Sequence, residues 1–189
     1  MDANTALVGL CGSLRAGSFN HHALALAGEV LPAGTTLDLL DWRELPIFDA
    51  DLLARGEPAA VTALKRRIGA AAGVVIATPE YNFTIPGGLK NALDWLSRGD
   101  DQPFLHKPVA ILSAATGPLG GARVQYDLRR VLLFLNAAVL SKPEVFIGQA
   151  ASKFDAAGRC SDEATRRFVT DQMQAFLQHI RRVQRMHAD

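Results

Sequence analysis

The chain has 189 residues, 49% of them hydrophobic, and a formal net charge of +1. That length suits one α/β domain, residues 1–189, with ample apolar material for a core. A near-neutral charge with scattered basic residues excludes a nucleic-acid surface, which needs a concentrated basic patch.

The opening Met-Asp-Ala-Asn-Thr carries neither a charged n-region nor a cleavage site. An apolar run at 6–11 predicts a buried strand, and 19–30 a helix. A second strand covers Thr35–Leu40, followed by a loop rich in Pro and Asp at 41–58. The helix at 59–71 sets Val61, Leu64 and Ile68 on one face. A third strand at 73–78 precedes a helix beginning near Pro86, a favourable first-turn proline, with Leu89, Ala92, Leu93 and Leu96 as its core stripe. A fourth strand at 109–114 leads to a helix at about 121–135, and a fifth strand is split around Ser141-Lys142-Pro143. The last helix runs from about Asp162 to the end, with Ser161 as N-cap and Val169, Met173, Phe176, Ile180 and Val183 on one face. Arg181, Arg182 and Arg185 suit its last turns, where cations are favoured.

The longest apolar run, 68–78, is too short to span a bilayer. Two cysteines, Cys11 and Cys160, lie far apart and show no zinc or disulfide spacing. Cys11, ending a strand, reads as a small buried residue rather than a redox thiol. The histidines show no ligand spacing, so no metal site is assigned. A soluble cytoplasmic protein is the expectation.

Continuous apolar strands alternating with helices predict a parallel sheet covered on both faces. Five such units suit the strand order 2-1-3-4-5, whose ligand crevice lies at the carboxyl ends of strands one and three. Loop one is Gly12-Ser13-Leu14-Arg15-Ala16-Gly17-Ser18-Phe19-Asn20. A helix N-terminus with glycines, short hydroxyls and one arginine suits a phosphomonoester. The same stretch also reads as an ordinary capped turn with Ser18 or Asn20 as N-cap. Loop three runs from Pro79 through Glu80, Tyr81, Asn82 and Phe83 to Gly88, a stiff backbone able to present N–H groups to a flat heterocycle. Loop four, Ser113 to Gly121, is built of small residues that let a planar ring approach.

The chain resembles the NADPH-dependent FMN reductase family, the flavodoxin-like group that includes quinone, azo and chromate reductases. The resemblance covers nearly the whole chain. It rests on Gly12-Ser-Leu-Arg15-x-x-Ser18-x-Asn20, on Pro79-Glu-Tyr-Asn82 and on Leu89-Lys-Asn-Ala-Leu-Asp-Trp95. It implies a flavodoxin-like fold and an FMN site. Ser13, Arg15, Ser18, Phe19 and Asn20 would hold the phosphate. Pro79, Glu80, Tyr81, Asn82 and Phe83 would border the isoalloxazine, and Ser113, Thr116, Gly117, Gly120 and Gly121 would close the other side. NADPH or NADH would give a hydride to the flavin and leave before a quinone, flavin or similar acceptor enters, a ping-pong cycle in which the cofactor does the chemistry. No catalytic side chain is required. Glu80 reads as a loop-fixing or interface carboxylate, with a proton relay as the alternative.

Tyr126, Leu133 and Phe134 lie off the stripe Val124, Leu128, Val131 and Leu135, and Trp95 lies off the Leu89–Leu96 stripe. Exposed apolar helix faces predict a partner. The resemblance implies a homodimer or homotetramer, with Arg123, Tyr126 and Glu144 as candidate contacts across it. Three rival readings are weaker. An electron carrier of the flavodoxin kind tends to be strongly acidic. A phosphatase loop needs wider spacing than the three residues between Cys11 and Arg15. A dinucleotide-binding loop needs Gly-x-Gly-x-x-Gly, and only Gly12 and Gly17 are present, although Asp41 does follow strand two.

Overall fold

A computed structural model describes residues 5–187. The opening residues 1–4, read above for a targeting signal, and residues 188–189, read above as the end of the last helix, lie outside that range. Among the described residues six parallel strands form one sheet: β1 (Thr5–Cys11), β2 (Thr35–Leu40), β3 (Gly73–Ala77), β4 (Pro108–Ala114), β5 (Ala138–Val139) and β6 (Val145–Ile147). The order is β2-β1-β3-β4-β5, with β6 also on β4, as the strand–helix alternation predicts. β5 pairs with Pro108 and Val109, while β6 pairs with Leu112, Ser113 and Ala114, so the fifth strand is broken at the expected place.

Side chains alternate between two cores because successive strand residues face opposite sides. Val74, Ile76, Val109 and Ile111 point into one, packed with Leu64 and Ile68 of α3 (Ala59–Ala70), Leu89 and Leu93 of α4 (Gly87–Leu96) and Leu128 and Leu132 of α5 (Ala122–Phe134). Val75, Ala77, Ala110 and Leu112 point into the other, against Leu24 of α1 (Phe19–Glu29) and Val169, Met173 and Phe176 of α6 (Glu163–Met186). No helix among the described residues is long and apolar enough to cross a membrane.

Three expectations are corrected. The loop at 41–58 contains a short helix, α2 (Ala50–Arg55), capped by the Asp49 carboxylate on the Asp51 N–H; its burial is too slight to leave a periodic signal. The N-cap of α6 is Asp162, which accepts from the Thr165 N–H at 2.8 Å, while Ser161 donates to the Lys153 carbonyl instead. Trp95 is fully buried and not part of an exposed face. Its Nε1 donates to the Pro46 carbonyl at 2.8 Å and its ring meets Phe48 edge-on at 4.9 Å. Asn91 holds the same loop, donating to the Pro46 carbonyl and accepting from the Phe48 N–H. The segment after β2 therefore folds over α4, and the Leu89–Trp95 stretch serves to clamp it.

Candidate functional site

Adjacency of β1, β3 and β4 brings the loops that follow them to one end of the sheet. Gly12 lies against Thr78 at the end of β3: a Cβ there would sit 2.4 Å from the Thr78 hydroxyl, so this close crossing admits only glycine. The Asn20 side chain spans to β4, donating to the Ala114 carbonyl and accepting from the Ala114 N–H, both at 2.9 Å. Trp42, after β2, donates from Nε1 to the Cys11 carbonyl at 2.9 Å. These ties fix the start of α1 over the strand ends.

In loop one, Ser13, Ser18 and Asn20 are buried and turned inward. The Ser13 hydroxyl accepts from the Arg15 N–H, and Ser18 is the N-cap of α1, accepting from the Asn20 N–H. Phe19 packs on Phe154 and His22. Leu14, Arg15, Ala16 and Gly17 form the exposed tip. The backbone N–H groups of Leu14, Ala16, Gly17 and Phe19 have no hydrogen-bond partner among the described residues. Arg15 has no carboxylate partner there either. An uncommitted guanidinium and free amides at the positive end of a helix fit the phosphate of FMN. The capped-turn reading holds, and the same turn leaves those backbone amides uncommitted among the described residues. Beneath it, burial pushes the Cys11 thiol up, offset only partly by bonds to Ser13 and Ser18, so the neutral thiol is favoured.

In loop three, Tyr81 and Thr84 exchange two backbone hydrogen bonds around Asn82 and Phe83, which take φ of 51° and 69°. This is a tight turn with both central residues left-handed. Asn tolerates that conformation; Phe does not readily, and it is 66% exposed with no burial to offset the cost. Pro79 accepts from the Thr78 hydroxyl. The N–H groups of Asn82 and Phe83 have no partner among the described residues and suit the polar edge of a flavin.

Glu80 turns away from the loop tip. It accepts from Arg123 Nε at 2.7 Å and from the Val124 N–H at 3.3 Å. The Arg123 guanidinium lies 4.0 Å from the Phe83 ring centre. The loop-fixing alternative for Glu80 is the one this geometry matches. Arg123, a candidate interface contact, is engaged within its own chain. Glu144 is likewise flanked by Lys142, which holds its carboxylate below the ordinary range with help from Tyr126 and Arg129. The sequence signal for the Glu80–Arg123 pair is absent, since the residues are 43 apart.

In loop four, Ser113 is buried and donates to the Gly120 carbonyl at 2.6 Å, while Gln125 donates to its hydroxyl. Gly120, at φ 59°, faces the backbone of 146–148, where a Cβ would lie 2.7 Å from the Gly148 nitrogen. Ser113, Gly120 and Gly121 thus shape the loop, and Thr116 and Gly117, with Pro118 and Leu119, form its exposed part. The crevice mouth carries exposed Tyr81, Phe83 and Leu119.

The NADPH-dependent FMN reductase family matches residues 5–152. An NAD(P)H-dependent FMN reductase of Pseudomonas aeruginosa is 44% identical over 183 residues, 97% of this chain and 99% of that one. A quinone reductase of Escherichia coli is 45% identical over 186 residues, with the same coverage. The solved structure of FerB, a flavoenzyme NAD(P)H:(acceptor) oxidoreductase from Paracoccus denitrificans, superposes with a TM-score of 0.86 at 33% identity, covering 94% of this chain and 98% of that one. Fold, loop geometry and these matches agree, and the chain belongs to the NADPH-dependent FMN reductase family.

Proposed function

We propose that this chain is an FMN-dependent NAD(P)H oxidoreductase of quinones and similar small planar acceptors, working on a single domain as a homodimer or homotetramer. The observation that carries the reading is the exposed tip of loop one: free amides at 14, 16, 17 and 19 and an uncommitted Arg15, next to two open loops at adjacent strand ends. FMN, when bound, supplies two-electron transfer between the nicotinamide and the acceptor. Arg15 and the loop-one amides neutralise the phosphate dianion and anchor the cofactor tail. The inward Ser13, Ser18 and Asn20 hold that cradle in shape. The free N–H groups of Asn82 and Phe83 would donate to the polar edge of the ring and would stabilise negative charge there. Thr116 and Gly117 leave the opposite wall low enough for a flat ligand.

Tyr126, Leu133 and Phe134 remain exposed along α5, which supports a second copy covering this face. The free thiols Cys11 and Cys160 fit a reducing compartment, and the cytoplasm is the proposed location. The test is nicotinamide oxidation by the purified, FMN-loaded protein with and without a simple benzoquinone. Acceptor-dependent oxidation of NADPH or NADH supports the reading. A flavin-loaded protein inert to both nicotinamides would instead be an electron carrier.

A further inference from the structure

Gly121 precedes α5 in the left-handed conformation and has no side chain to cap the helix, and the first turn of α5 contains no acidic residue. The helix start that closes loop four is therefore incomplete in its own sequence. The missing anion comes from across the crevice. Glu80 of loop three places Oε2 on the Val124 N–H at 3.3 Å and Oε1 on Arg123, 2.7 Å from Nε and 2.5 Å from Nη2. Its side chain is only 9% exposed. A carboxylate at a helix N-terminus is favoured by the macrodipole, and one that also accepts from a guanidinium is held in a single orientation. The chain of contacts continues: Arg123 lies over the Phe83 ring, and Phe83 is the second of the two left-handed residues of the Asn82–Phe83 turn.

We propose that Glu80 is a positioning residue for the flavin ring, fixing the spacing of loops three and four by gripping Arg123 and the Val124 amide with one carboxylate. The role rests on the flavin reading above. It assigns to Glu80 no proton and no contact with the reacting atoms. Its effect is on the ring, so it is felt alike by FMN and by riboflavin, which lacks the phosphate. Arg15 acts on the phosphate and is felt by FMN alone.

The test compares Glu80→Gln and Arg123→Ala with the unsubstituted protein. Gln keeps the size of Glu80 but loses the charge that both holds Arg123 and strengthens the bond from the Val124 N–H. Thermal midpoints of the apo proteins control for folding. Amide hydrogen exchange at Thr84 and Val124 in the apo protein reads the tie itself, and fluorescence quenching reads riboflavin and FMN affinity. Faster exchange is expected at both amides, with both affinities falling by a similar factor of about ten. Unchanged exchange overturns the proposal. So does faster exchange with both affinities kept, which makes Glu80 a helix cap only, or a loss confined to FMN. If the unsubstituted protein binds neither flavin, the flavin reading falls and takes this role with it, while the exchange data still report whether the tie exists.

Discussion

On the proposed reading, Arg15 is the residue on which flavin retention turns. It stands at the exposed tip of loop one, its guanidinium 5.9 Å from the Phe19 ring centre and with no carboxylate partner among the described residues. A charge-assisted contact to phosphate contributes about 2 kcal/mol, so Arg15→Ala should weaken FMN binding by about thirtyfold and leave riboflavin binding unchanged. Quenching titrations with the two flavins check this; equal losses for both would place Arg15 outside the phosphate site. At this scale the sequence exposes the residue types but not their directions. Glycine, hydroxyl and arginine after a strand are legible as an anion site. That Ser13, Ser18 and Asn20 face inward is not, because Asn20 finds its partner at Ala114, 94 residues away. The same distance in sequence hides the Glu80–Arg123 pair, whose members come from loops that meet only when the sheet forms.

Elements with a strong apolar period were readable. β1, β3, β4 and the stripe of α6 fall where continuous or periodic burial places them. Trp95 is buried off its helix's core stripe because the loop carrying Pro46 and Phe48 covers the far side, a contact no helical wheel contains. The broken fifth strand leaves a gap on the edge of β4 that a side chain fills. Gln172 of α6 is buried and donates to the carbonyls of Ile111 and Pro143, both at 3.0 Å. Gln172→Leu strands one buried and one partly buried carbonyl and should cost about 2 kcal/mol in urea unfolding; a loss near zero would mean the gap is satisfied otherwise. Lys65 of α3 makes a second long-range tie. It is buried and donates to Asp101 at 2.7 Å, to the Arg98 carbonyl at 2.9 Å and to Glu57. Burial opposes its charge, but the bonds to Asp101 and Glu57 outweigh that and raise its pKa, while the Lys65 bond lowers that of Asp101. A raised lysine value gives stability that is present at neutral pH and lost only as pH rises through the alkaline range. A depressed aspartate value gives stability present above about pH 4 and lost as pH falls below it. Lys65→Met should therefore cost about 1 kcal/mol at neutral pH, a modest figure because Asp101 is well exposed. The variant should also lose stability less steeply than the parent below about pH 4. Parallel urea titrations at neutral and acid pH decide it; identical acid slopes would contradict the pairing.

At the scale of the molecule, five strand–helix units at this length suit the order 2-1-3-4-5, and it is this order that gathers loops one, three and four at neighbouring strand ends. A lone copy leaves apolar side chains of α5 uncovered, with Leu133 and Phe134 each more than three-quarters exposed. Light scattering at micromolar concentration should give a dimer or tetramer mass, and Phe134→Glu should reduce it; a monomer mass for the unsubstituted chain would refute the assembly. The central claim is that the turn between β1 and α1 holds the FMN phosphate while the two later turns frame the ring. The most direct measurement is titration of apo protein with FMN, followed by flavin fluorescence. The account predicts saturable quenching with one flavin per chain, abolished in affinity terms far more by Arg15→Ala than by any change on α6. Absence of saturable quenching, or quenching insensitive to Arg15, would contradict it.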